Sequence, residues 1–242
     1  MISAARIAAG LRPAAHPLTI ARHETNAPMH LTAQEQQQIN ELVAEVEAAS
    51  GAQFIVAVIG KADAYPEIPW KAFALGTVSA ALLVACVEFG LVSWPGLRAA
   101  VFGLIPVLAA GMVFALVAVF VPAVGRALLD RVRARAEVEQ YARAVFLERG
   151  MFQTRHRVGV LVLISLFERE AMILADTGVR QHVTAGQIEA IVAQMAPLIR
   201  KGLVFGAAQT ALTTLAALLR GKLGRVAVAD ELSDTLVQER GS

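Results

Sequence analysis

The chain has 242 residues, of which 56% are hydrophobic and 17% charged, with a mean hydropathy of +0.56. A soluble domain carries roughly 45–50% apolar and about 25% charged residues, so a disordered chain, a collagen-like repeat and a fully soluble enzyme are excluded. Lys and Arg number 22 against 20 Asp and Glu, a net +2 with no basic stripe, so nucleic acid is not an expected partner. The single cysteine, Cys86, forbids an intramolecular disulfide or a multi-cysteine zinc site.

The first thirty residues are basic before Glu24, with Arg6, Arg12 and Arg22, and Arg6, Arg12 and Pro13 interrupt every candidate apolar core. A secretory signal needs an uninterrupted core of roughly 7–15 residues, so the expectation is a flexible cytoplasmic tail. His16, His23 and His30 recur every seven residues, but Pro13, Pro17 and Pro28 deny them a common helix, and no metal site is expected there. Order begins at Leu31. Thr32 and Glu35 have capping-box spacing. The helix they start repeats Ile39, Leu42, Val43 and Val46 on one face and stops at Gly51. QFIVAVIG follows, a nearly continuous apolar β run that should be covered on both faces.

Two apolar stretches come next, near Trp70–Ser93 and Leu97–Val121. About 20 helical residues cross a hydrocarbon layer of roughly 30 Å, and both stretches meet that length. Trp70 and Trp94 bracket the first, and Pro95 and Gly96 supply a tight turn between the two. The reading is a transmembrane helical hairpin. Arg126, Arg131, Arg133 and Arg135 follow the second span, while the turn carries only Arg98. The positive-inside rule therefore places both termini in the cytoplasm and the turn outside the inner membrane. The same four arginines are candidates for binding anionic lipid. Glu88 is the one acid inside a span, read either as an ion-handling carboxylate or as a side chain reaching the interface near its helix end. Gly76 with Ala80, Ala81 with Ala85, and Gly111 with Ala115 are spaced for close helix approach, within the hairpin or between copies in a homo-oligomer.

After the hairpin, Val138, Tyr141, Ala142, Val145 and Phe146 mark one helix face, and Gly150 ends it. VGVLVLISL reads as a second β run, FERE as a turn, and AMILADTGV as the returning antiparallel arm. Thr184 caps a further helix with Ile188, Ile191, Val192 and Met195 inward, which Pro197 is expected to end or kink. A last helix near Gly206–Leu219 turns Ala208, Leu212, Leu215 and Leu219 inward, and the tail from Gly224 is polar and expected to fray.

Strands separated by helices predict an α/β fold: an α/β/α sandwich with a small mixed sheet, interrupted by a two-helix transmembrane hairpin. The expected division is a flexible basic tail over 1–30, domain halves over 31–69 and 123–223, the hairpin over 70–122, and a polar tail over 224–242. The first strand and Val158–Leu166 should run parallel, which makes the hairpin an insertion into one domain.

Within Ala142–Val179, Thr154 is followed by Arg155 and Arg157, then a Gly159-Val160-Leu161 strand start, the pair Glu168-Arg169 and an Asp176-x-Gly178 turn. This order, with SGAQFIVAV earlier in the chain, resembles the TPM domain of thylakoid-lumen phosphatase-like proteins, photosystem-repair factors and acetylcholine-receptor modulators. The resemblance covers about Leu31–Pro66 and Leu129–Leu223. It implies an α/β/α sandwich, membrane anchoring in bacterial members, acid phosphatase activity in some members and divalent-cation binding in others.

The residues themselves supply little chemistry. Arg155 and Arg157, in a turn before a strand, are placed to hold an anion, or are solvated or in contact with lipid phosphates. Asp176, Glu168 and Asp63 are the weak candidates for a catalytic or metal-bound carboxylate, Asp176 being equally suited to an Asx-type turn cap. His156 and His182 have no motif around them, and Walker, dinucleotide, GxSxG and HExxH patterns are absent from the sequence. Two functions are therefore expected: a membrane-anchored interaction, assembly or maintenance factor that meets another membrane protein or lipid headgroups and needs no cofactor, or a metal-assisted phosphatase using Asp176 with Asp63 or Glu168.

Overall fold

The computed structural model describes residues 31–91, 97–223 and 236–239, with side chains over 31–87 and 102–223. The basic tail with its three histidines, the turn with Trp94, Pro95 and Gly96, and the side chains of Glu88 and Arg98 lie outside the described residues.

Helix α1, Ala33–Ser50, starts with the Thr32–Glu35 capping box and stops where Gly51 turns left-handed at φ 74°. Strand β1, Gln53–Ile59, is buried at every position. Helices α2, Glu67–Leu91, and α3, Leu97–Phe120, form the hairpin, and α2 starts three residues before the expected Trp70. A short helix α4, Pro122–Leu128, which was not expected, begins with a proline in its first turn, where the missing amide costs no helical hydrogen bond. Helix α5, Arg131–Glu148, capped by the Asp130 carboxylate, leads to β2, Gly159–Ser165, and β3, Glu170–Ala175. A single helical turn α6, Thr177–Arg180, precedes α7, Ala185–Arg200, which opens with a second capping box, Thr184 with Gln187, and α8, Val204–Leu219.

Two expectations need correction. Helix α7 runs through Pro197 to Arg200. The proline sits in the last turn, where it removes one helical hydrogen bond, while Ile199 beyond it is buried against the core and holds the turn helical. The polar tail also does not simply fray: Leu236–Glu239 forms a strand, β4, parallel to β1. Backbone pairing to a buried strand orders a segment whose own composition gives no strand signal.

The four strands lie in the order β3-β2-β1-β4. β1 and β2 are parallel and in register from Gln53 opposite Gly159 to Ile59 opposite Ser165, and β2 and β3 are antiparallel. Alternation along the strands sends Phe54, Val56, Val58, Val160, Val162 and Ile164 to a core shared with α1, α7 and α8. The other face, with Ile55, Ala57, Ile59, Leu161 and Leu163, packs on Val138, Ala142 and Val145 of α5. The result is an α/β/α sandwich with a mixed sheet. A third, smaller cluster joins Tyr65, Ile68 and Ala72 to Ala118, with Val124, Leu128, Leu129 and Phe167 packed around them. It ties the foot of the hairpin to the domain.

Segments Glu67–Val87 and Phe102–Phe120, 21 and 19 residues, are long and apolar enough to cross a membrane, and 11% of each is buried within the molecule. The glycines at small-residue spacing are used inside the hairpin. A Cβ on Gly76 would come within 2.9 Å of the Ala110 carbonyl oxygen, and one on Gly111 within 2.5 Å of Thr77 Cγ2.

Candidate functional site

The candidate carboxylates separate to opposite ends of the sheet. Asp63 follows the C-terminal end of β1 and Glu168 the C-terminal end of β2, on the side where the chain enters the hairpin. Asp176 follows β3, and its amide donates to the Gly159 carbonyl at 2.9 Å, at the N-terminal end of β2. From Gly159 to Ser165 are six strand steps, about 20 Å at ~3.3 Å each. A divalent ion lies about 2.3–2.6 Å from each oxygen it binds, so Asp176 cannot share one with Asp63 or Glu168. Among the described residues no group of three or more His, Cys, Asp or Glu side chains is arranged to hold a metal. The donor set does not fit the divalent cation that the resemblance implies.

The Asp176 end is a structural corner. Asp176 Oδ1 accepts from the Thr177 amide at 2.6 Å and caps α6, the Asx-type role open to it from sequence. Its Oδ2 lies 3.5 Å from Arg157 Nε, and Arg157 Nη1 donates to the Phe152 carbonyl at 2.6 Å. Arg157, at φ 59°, joins the Asp176 carboxylate to the Phe152 carbonyl while staying exposed; Arg155 and His156 are exposed beside it, and His182 is half-buried. Buried Thr154 accepts the Val158 amide at 3.0 Å through Oγ1. A Cβ on Gly178 would stand 2.4 Å from the His156 carbonyl oxygen, and one on Gly159 would stand 2.6 Å from that of Met151. The shared motif residues here build a tight backbone crossing and leave no open carboxylate.

The hairpin end is denser in charge. The β2–β3 turn is clamped to the exit of β1 by the Leu166 and Phe167 amides, which donate to the Ile59 and Gly60 carbonyls at 3.0 Å each. Glu168, buried at the turn, accepts the Ala62 amide at 2.9 Å through Oε1 and a very close Ser165 hydroxyl through Oε2. Tyr65 is fully buried at φ 48°, a backbone conformation that costs a bulky residue about 1–3 kcal/mol. Its ring stacks on Phe167 with centroids 6.0 Å apart. The Lys61 ammonium sits 5.1 Å from the Tyr65 centroid and 5.0 Å from that of Phe167, and donates to the Ala64 carbonyl at 2.7 Å. Desolvation there lowers the Lys61 pKa, against the attraction of Glu168, Asp63 and Glu67. Arg133 reaches from α5 to Asp63 at 3.3 Å, Glu67 at 3.1 Å and Glu137 at 3.6 Å, and lies over the Tyr65 ring.

In α/β sheets the C-terminal ends of parallel strands are the usual ligand site. Here the first residues of the hairpin occupy that position, and its charges pair with one another. Asp63 and Arg133 are committed to this junction. Arg131 and Arg135 are exposed, and Arg126 is half-buried on α4. Sequence reasoning missed Lys61, Tyr65, Glu67 and Ser165, because only the pairing of β1 with β2 brings them to Glu168. The KADAYPE segment, with charges and an aromatic before a proline at a strand exit, was the one available signal.

Two solved structures are similar to this chain. BA42 protein from the psychrophilic bacterium Bizionia argentinensis is 14% identical, with 86% of this chain and 94% of that chain covered and a TM-score of 0.46. The N-terminal domain of a P. gingivalis protein is 11% identical, with 81% and 80% covered and a TM-score of 0.41. No curated protein sequence matches the chain. The TPM domain family model matches residues 116–218, from the end of α3 through most of α8, so the strands, corner and helices that follow the hairpin are similar to a TPM domain.

Proposed function

We propose that this protein is a membrane-anchored TPM domain that acts by interaction, holding its α/β unit against the cytoplasmic face of the inner membrane to meet another membrane protein. The observation that carries this reading is the uncovered apolar surface of the hairpin. Phe102 is 71% exposed, Ile105 60% and Phe120 76%, in segments of which 11% is buried. A soluble protein leaves apolar patches of a few hundred Å² at most, and a bilayer covers far more. The domain is joined to this anchor through the Tyr65 and Arg133 contacts, a connection suited to presenting a surface at fixed height. The carboxylates a phosphatase would use are separated or already bonded, which favours binding over catalysis.

Single cysteines at Ala48, Ser93 and Ala190 in a Cys86→Ala background test the reading. Ala48 and Ala190 are exposed on α1 and α7. Labelling from outside intact cells should reach position 93 alone. Labelling at 48 and 190 instead would reverse the orientation, and release of the protein by carbonate washing would end the anchoring model.

A further inference from the structure

We infer that Arg126 and Arg169 form a binding site for the phosphate of one anionic phospholipid at the foot of the hairpin. The site rests on the anchoring proposed above and assigns that anchor a ligand. Its two halves come from distant parts of the chain. Arg126 lies on α4, six residues past Phe120 at the end of α3, and Arg169 lies in the β2–β3 turn at φ 57°. The two segments touch: a Cβ on Gly125, the neighbour of Arg126, would stand 3.5 Å from Phe167 Cζ, two residues before Arg169. Val124, Leu128 and Phe167 share the same apolar cluster.

Neither guanidinium has an acidic partner among the described residues. Asp63, Glu67 and Glu137 pair with Arg133, Glu168 holds the Ala62 amide and Ser165 hydroxyl, and Asp130 caps α5; Glu170, next to Arg169 in the chain, pairs with neither arginine. Arg126 is half-buried, and both burial and the charge of Arg169 lower its pKa. Two cations on touching segments, neither paired with an acid among the described residues, repel each other until an anion lies between them. Guanidinium forks bind phosphate oxygens in pairs, and two arginines carried on touching segments suit one phosphate better than dispersed charges do.

The surroundings choose lipid over free phosphate. Immediately before α4, Phe120 and Val121 are exposed apolar side chains, so the arginine pair sits where an apolar span ends. A phospholipid places its acyl chains along such a span and its phosphate just beyond it. Arg131 and Arg135 are exposed on α5 and have no counterpart in the β2–β3 turn.

The test uses the full chain in phosphatidylcholine nanodiscs containing a minority of phosphatidylglycerol, with retained phosphatidylglycerol counted by native mass spectrometry. Arg126→Gln with Arg169→Gln should lower its retention about thirty-fold. Each single change should cost most of that, because one phosphate needs both forks. Arg126→Lys with Arg169→Lys, which keeps the charge and fold, should fall between. Arg220→Gln with Lys222→Gln, exposed just past the C-terminal end of α8, should stay within about twofold of the parent. Unchanged retention in the Arg126/Arg169 double variant would overturn the site, as would equal loss from Arg131→Gln with Arg135→Gln. Displacement of the lipid by millimolar inorganic phosphate would reassign it to a free anion. A chain that does not enter nanodiscs overturns the anchoring itself, whereas one that enters without lipid preference overturns only this site.

Discussion

Tyr65 concentrates several demands in one residue. Its backbone is left-handed, its ring carries Phe167 and two cations, and its hydroxyl makes no hydrogen bond of good geometry among the described residues. Burial first, and then the charge of Glu168, push its phenol far above the ordinary value of 10. Below pH 10 both folded and unfolded chains keep the proton, so the phenol's contribution to stability is fully present. Above pH 10 the unfolded chain loses its proton first, and stability falls as the pH climbs toward the folded value. Tyr65→Phe should therefore be near neutral in stability at pH 7, since the lost hydroxyl has no good partner. It should also flatten the alkaline loss of stability relative to the parent. Unfolding curves in detergent between pH 8 and 12 read this directly. Parallel curves for parent and variant would show that the phenol is not held protonated.

Among the elements, the hairpin and the sheet edge make distinct demands. α2 and α3 approach at Gly76, where an added Cβ would meet both the Phe114 Cβ at 2.8 Å and the Ala110 carbonyl oxygen. Backbone cannot step aside as a flexible side chain can. Gly76→Ile should force the helices apart and lower the melting temperature in detergent by several degrees, an overpacking cost of about 1–3 kcal/mol. Ala81→Ile on the exposed face of α2 should leave it unchanged. Strand β4 covers the edge of β1 from Val56 to Ile59. Removing residues 236–242 should abolish hydrogen-exchange protection on the β1 amides that face β4, and the bared edge should promote aggregation. Retained protection would mean that β4 contributes little to the sheet.

Across the whole molecule, what could be read from sequence was what local chemistry determines. Thr32 with Glu35 and Thr184 with Gln187 mark helix starts because a cap is satisfied within four residues. The unbroken apolar run of β1 announced a strand covered on both sides, that of β2 a second strand, and the sandwich followed. Less legible was whatever needs a distant partner. β4 takes its order from an edge that only the folded sheet offers, and α7 continues past Pro197 because Ile199 is held from outside the helix. The candidate site was the least legible part. Asp176, Glu168 and Asp63 look alike as acids near strand ends, yet one caps a turn, one holds a strand exit and one pairs with an arginine. Arg169 reads as a turn residue until α4 is placed beside it.

The parallel pairing of β1 with β2 spans a long detour: Ala62 and Glu168, which bond directly, are 106 positions apart. If the intervening hairpin is embedded as proposed, β1 is made first and has no neighbour until the chain has crossed the bilayer and come back. One crossing delivers β2 to the wrong compartment, and two deliver it to the right one. A strand with seven buried positions left unpaired is sticky and open to proteases. The sheet thus closes only on an even number of crossings, and a chain that crosses once is left with an unfinished domain.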